Sequence, residues 1–196
     1  MSNDIQQQTT VNIQEKANLI WAIADKLVGV YKPHEYGNVI LPMCVIKRFE
    51  DTLTPTKQQV LDTNAKLDKD GIVVKKGFLE AAAGQQFYNL SPFTFQNLLN
   101  DPENIKDNFE SYLNHFSENV IDIIHRMDFD REIQKMADNN VLYLVIKEFC
   151  TQKAYLGADQ VTSVDMGYIF EELVRKFSES YDEQAGAHFT ARDIIY

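Results

Sequence analysis

Apolar residues recur at spacings of three and four from Ile13 through Ala17, Ile20, Trp21, Ala24, Leu27 and Val28, which is one face of a helix. Before it, residues 1–12 are polar and rich in Gln and Thr, and read as a loose tail. Gly29 lies near the end of the periodic run, and Pro33 breaks it and sets the start of a second helix. That helix carries Val39, Ile40, Met43, Ile46, Phe49 and Leu53 inward, and Pro42 inside it predicts a kink or a split. Pro55–Lys69 reads as a further helix anchored by Val60 and Leu67, followed by a DKDG turn. "IVVKKGF", Ile72–Phe78, is the only β-like run, and both a short strand and an extended loop fit it.

"SPFTFQNLLND" reads as a short helix with Ser91 as cap and Pro92 at its first position. Asp101–Pro102 is another start signal. Behind it Ile105, Phe109, Tyr112, Leu113, Phe116, Val120, Ile123, Ile124 and Met127 give the strongest periodicity in the chain, long enough for two helices end to end. "DFDREIQKMADNN" reads as a polar connection with a short helical turn. Val141–Cys150 is apolar enough for a core helix, although its β-branched residues leave a strand open. Ser163 or Asp165 caps a helix with Met166, Ile169, Phe170, Leu173, Val174 and Phe177 inward, and a polar loop over Ser178–Gly186 follows.

The last stretch, "GAHFTARDIIY", has the form of a helix start. Thr190 is placed as an N-cap, Asp193 as its reciprocal partner, and Phe189 with Ile194 as a hydrophobic staple. A start signal without a body behind it predicts a truncated chain. The expected fold class is therefore mainly α: a helical bundle domain with a short extended/β segment, followed by the opening residues of a further domain. The expected division is a polar tail over 1–12, a helical domain over 13–160, and a linker helix with the start of the next domain over 161–196.

Composition narrows the function. The chain carries 29 Asp and Glu against 19 Lys and Arg, a net charge of −10, so it lacks the overall basic footprint of a DNA-binding protein. Residues 101–140 hold ten of the acids and only four Lys or Arg, which on a helical pattern is first of all a solvated face. No apolar run is long enough for a membrane span, and the polar N-terminus has no signal pattern, so a cytoplasmic location is expected. Cys44 and Cys150 sit in apolar helical patterns and read as buried, reduced thiols.

No two glycines are separated by a single residue, so no glycine-rich phosphate loop is present. His34, His115, His125 and His188 lack metal-ligand spacing, and His115 and His125 are expected at the surface. No nucleophile elbow occurs. The residues alone compose no complete active site, and no catalytic residue or metal site is assigned.

Two stretches carry a resemblance. "WAIADKLVGVYKPHEYGNVILPMCVIKRFED", Trp21–Asp51, resembles the N-terminal signature of the DNA-methylation subunit (HsdM) of type I restriction–modification systems. "MGYIFEELVRKFSESYDEQAGAHFTARDII", Met166–Ile195, is similar to that family's link into its catalytic domain, where "GEHFTPR" or "GQYFTPR" precedes the first cofactor-binding strand. The two blocks stand in the family's order, while Pro55–Leu90 matches loosely. Ala191 stands where proline is usual in the family, which leaves the backbone less pre-set.

The resemblance implies an S-adenosylmethionine-dependent N6-adenine methyltransferase whose α/β catalytic domain, with its Asn/Asp-Pro-Pro-aromatic motif and cofactor loop, lies beyond Tyr196. It implies that Ala187, His188, Phe189, Thr190, Ala191 and Arg192 form the first cofactor-contact segment. The N–H groups of a helix start would suit the cofactor's carboxylate. No cofactor is expected on the fragment itself. The helical domain would help enclose DNA and contact the specificity subunit, in a complex that also holds a restriction subunit. Candidate phosphate contacts are Lys75, Lys76, Lys147, Lys153, Arg175 and Lys176, residue types that are also ordinary solvated charges. The alternative is a stand-alone helical interaction or regulatory module unrelated to methylation.

Overall fold

α2, Tyr36–Leu53, is the element around which the others are arranged. In the computed structural model, residues 2–185 are described in backbone and 12–180 in side-chain environment. Eleven residues of α2 are buried, so it is a core helix, with Asn38, Leu41 and Val45 on its more open side. Pro42 lies on its wall and α2 is continuous through it, with neither split nor break. Proline removes one N–H and crowds the preceding turn, and burial of Val39, Ile40, Met43 and Ile46 outweighs that cost.

Around α2 the regular elements are all helical, with no sheet among the described residues and two isolated bridges, Val28 to Tyr31 and Asn89 to Phe116. α1 (Ser2–Ala22) passes into a 3-10 stretch over Ile23–Leu27. A 3-10 turn at Pro33–Glu35 opens α2, as proline at a first position favours. α3 (Lys57–Lys69) and α4 (Lys76–Ala83) pack on each other. Then come α5 (Phe95–Leu98), α6 (Ile105–Asn114), α7 (Glu118–Arg126), α8 (Asp130–Asp138), α9 (Leu142–Phe149) and α10 (Ser163–Ala185).

Several boundaries differ from the sequence expectation. The stretch expected as a loose tail is helical from Ser2, since nothing between Ser2 and Ala22 breaks the helix. The β-like run is extended over 72–75 without pairing, and α4 starts at Lys76. α5 starts at Phe95 with Thr94 as its cap, because Thr94 and Asn97 satisfy each other's backbone N–H groups reciprocally; Ser91 instead bonds the Phe93 N–H. The polar connection after Asp128 is the helix α8, whose Ile133 and Met136 are fully buried. α10 is capped by Thr162 and Asp165 in the same reciprocal way, and it continues through Ala185 where a loop was expected.

Two aromatic assemblies hold the bundle. Phe87, Phe49, Phe116, Tyr112, Phe95 and Phe109 form a continuous chain of ring contacts with centroids 5.0–6.3 Å apart, joining α2, α5 and α6. Trp21 and Phe177, 4.9 Å apart, join α1 to α10, the most extensive helix pairing. Both cysteines are free thiols.

Candidate functional site

In the charged segment Lys47–Asp51 of α2, Lys47, Glu50 and Asp51 are buried, so their polar atoms must find partners inside the protein. Lys47 Nζ lies 2.5 Å from Asp51 Oδ2, both side chains under a tenth exposed. Asp51 Oδ2 also accepts the Leu156 N–H at 2.8 Å. Arg48 donates to the Leu156 carbonyl at 2.8 Å and to the Val161 carbonyl. Lys16, on α1, donates to the Lys153 and Tyr155 carbonyls at 3.2 and 2.8 Å. Burial raises the Asp51 pKa and lowers those of Lys16 and Arg48, in each case as the largest cause. Together these groups pin the 153–161 segment to α1 and α2; they enclose no cleft.

Glu50 and Lys57 meet at a separate polar cavity of about 90 Å³, bounded also by Asn89, Thr94 and Tyr112. Glu50 Oε2 accepts the Phe95 N–H at 2.6 Å. Lys57 Nζ donates to Asn89 Oδ1 at 2.9 Å and to the Phe93 carbonyl at 3.3 Å, and sits 5.6 Å from the Tyr112 ring centroid. Desolvation pushes the Glu50 pKa up to about 7 and that of Lys57 down to about 8. The volume suits a few waters and not a substrate, since a water's share of liquid is roughly 30 Å³.

A groove of about 1160 Å³ is bounded by α2, by α10 and by the corner between α7 and α8. Leu41, Pro42 and Val45 come from α2, and Phe170, Val174 and Phe177 from α10. The corner turns at Asp128, a non-glycine residue with φ of 50°, and contributes Arg126, Met127 and Arg131. Arg131 is held 3.4 Å from the buried Glu132 carboxylate.

The six candidate phosphate contacts are carried by three parts of the fold. Lys75 precedes α4 and is engaged by Asp68 and, at 3.1 Å, by Asn64. Lys76, at the start of α4, is 77% exposed with Glu80 at 3.9 Å. Lys147 is exposed on α9, and Lys153 is exposed in the following 3-10 turn. Arg175 on α10 is bracketed by Glu172 at 2.8 Å and Glu179 at 2.5 Å, with Lys176 half-buried beside it. Lys75 and Arg175 are thus committed to local acids, whereas Lys76, Lys147 and Lys153 present charge to solvent. Ala187, His188, Phe189, Thr190, Ala191 and Arg192 lie outside the described residues.

His115 and His125 are exposed. Among the described residues, no group of three or more His, Cys, Asp or Glu is arranged to hold a metal ion, and no helix is long and apolar enough to cross a membrane. Sequence reasoning missed the Glu50–Lys57 cavity and the groove. The charges of "KRFED" on an otherwise apolar face were the available signal for the first; the groove left none, because it joins residues more than 120 positions apart.

The family described as HsdM N-terminal domain matches residues 16–149, from α1 through α9. Among curated proteins, none matches the chain.

Proposed function

Because the chain belongs to the HsdM N-terminal domain family, the N-terminal region of the methylation subunit of type I restriction–modification systems, we propose that it supports S-adenosylmethionine-dependent N6-adenine methylation of DNA by helping enclose DNA and contacting the specificity subunit. The family match across 16–149 carries this reading and favours it over a stand-alone interaction module. The activity is that of a full-length enzyme. The domain's own contribution is positional: it presents exposed cations to phosphate and a helical surface to partner subunits. Residues 187–192 are proposed to begin the cofactor site, and the whole complex to act in the cytoplasm.

Of the six cations, Lys76, Lys147 and Lys153 suit phosphate best, since Lys75 and Arg175 are occupied by neighbouring acids. The net charge of −10 implies that DNA affinity comes from the assembled complex rather than from this domain alone.

The test uses a complex of the full-length methylation subunit with its specificity subunit and a fluorescent duplex. Lys147→Glu with Lys153→Glu weakens binding and makes the logarithmic salt dependence shallower by about one to two units. An unchanged salt slope removes these lysines from the DNA contact. The chain by itself transfers no labelled methyl group from S-adenosylmethionine to DNA, and any transfer would overturn the positional role.

A further inference from the structure

The amine of Lys57 is held by two uncharged acceptors. Nζ donates to Asn89 Oδ1 and to the Phe93 carbonyl, and among the described residues no carboxylate lies within ion-pair distance of it. An ammonium group has three N–H donors, whereas a free amine has two and a lone pair. Two acceptors therefore satisfy the free amine and leave its lone pair over. Lys57 borders the cavity of about 90 Å³, so that lone pair has open space beside it. Desolvation brings the Lys57 pKa down to about 8. Near pH 7.5 about a quarter of such an amine is free, against roughly one part in a thousand for an ordinary lysine.

The rest of the lining suits one small, uncharged reactant. Glu50 from α2, Tyr112 from α6, Asn89 and Thr94 border the same space, and the Tyr112 hydroxyl is hydrogen-bonded to the Glu50 carboxyl. Room for a few waters excludes sugars, nucleotides and peptides. It admits carbon dioxide, a linear molecule about the size of two waters. Carbon dioxide carries no charge, so it enters a half-buried site without the desolvation cost of an anion. Thr94 Oγ1 accepts the Asn97 N–H and keeps its own O–H for a further acceptor.

We propose that Lys57 is a site of reversible carbamate formation, its amine taking up carbon dioxide within the cavity it shares with Glu50. The Nζ lone pair forms the N–C bond, one C=O π pair of carbon dioxide moves onto oxygen, and one N–H proton leaves. Nothing is oxidised or reduced. Starting from the ammonium form, two protons are shed: one goes to solvent, and the other to the Glu50 carboxylate, which desolvation makes basic enough to hold it. The product, –NH–COO⁻, accepts from the Thr94 hydroxyl and from protonated Glu50. It retains a single N–H, so one of the two bonds that tie α3 to the 89–93 segment is given up. The inference concerns this amine alone and does not depend on methylation or on a DNA contact.

The test places the chain in carbon-13 bicarbonate at about pH 8, where the α-amino group also forms a carbamate and serves as the positive control. Triethyloxonium ion traps carbamates as ethyl esters, and peptide mass spectrometry reads the label. Lys57 is expected to carry the labelled ester at least tenfold more often than the exposed Lys147 and Lys153. Lys16 separates the cavity from burial alone: it too has two carbonyl acceptors and a pKa lowered by burial, but it lines neither this cavity nor the groove, and it is expected to stay near the level of Lys147. In carbon-13 spectra Lys57→Arg removes one carbamate resonance while the far-ultraviolet circular dichroism is retained. Equal trapping at Lys57 and Lys147, trapping at Lys16 equal to that at Lys57, undiminished trapping at Lys57 after unfolding in guanidinium, or a carbamate spectrum unchanged by Lys57→Arg would each overturn the proposal.

Discussion

The Asp51 carboxylate accepts the backbone N–H of Leu156 at 2.8 Å, across 105 residues of sequence. One turn earlier on α2, Lys47 holds the same carboxylate as a buried ion pair. One side chain thus neutralises a buried cation and fastens the segment that leads into α10. Asp51→Ala leaves Lys47 charged and unpaired. It is expected to destabilise the chain by about 3 kcal/mol, as breaking one side of a buried pair does. Lys47→Met with Asp51→Leu costs less than Asp51→Ala alone, because no buried charge is orphaned. Urea denaturation of the three proteins checks the order.

Glu50 gives stability a pH dependence whose sign follows from its raised pKa. An unfolded glutamate releases its proton near 4.5, while folded Glu50 keeps it to about 7, so the folded state binds more protons between these values and stability falls as pH rises through them. Lys57 acts on the alkaline side: the unfolded lysine stays protonated to about 10.5 and the folded one to about 8, so stability recovers as pH rises from 8. Glu50→Gln still offers an oxygen to the Phe95 N–H. It is expected to lose less stability between pH 5 and pH 7.5 than the parent does, measured by urea midpoints.

Asn140, the residue after the Asn139 C-cap of α8, has a φ of 58°, in the left-handed region. Asn140→Gly is expected to be neutral within a few tenths of a kcal/mol. Asn140→Val should cost about 1–2 kcal/mol through the clash of its branched Cβ with the backbone. Thermal melting of the two variants separates the outcomes.

Phe109 is fully buried and touches the rings of Phe95 and Tyr112. Phe109→Ala is expected to cost about 3–5 kcal/mol through lost burial and the cavity left behind. Phe78 is 55% exposed, and Phe78→Ala should change stability by less than about 0.5 kcal/mol. Urea unfolding measures both.

Burial pushes the Cys44 thiol far above its ordinary value and the Cys150 thiol up to about 11. Neither is a thiolate at neutral pH. A disulfide-exchange reagent is expected to modify Cys150 slowly and Cys44 only after denaturant is added, as read by mass spectrometry.

The helices were legible because their signal is local. Spacings of three and four marked α2, α6, α7, α9 and α10, and each is a helix with most of those residues turned inward; Ile123 on α7 is instead exposed. The paired signatures at Trp21–Asp51 and Met166–Ile195 pointed to the family that the match over 16–149 identifies. Caps were read less well. Thr94 and Thr162 displaced Ser91 and Ser163, because a reciprocal partner three residues on, Asn97 or Asp165, decides which hydroxyl closes the helix.

By itself, the sequence determined that this chain forms amphipathic helices, where most of them lie and to which family they belong, since periodicity and signature residues act within a few turns. Only the tertiary structure decided that Lys47, Asp51 and Glu50 are buried and paired, that Lys75 and Arg175 are occupied by neighbouring acids, and that α2 and α10 leave a groove between themselves and the Asp128 corner. Those outcomes depend on which distant segments meet, and burial then compels each charge to take a partner that no local pattern specifies.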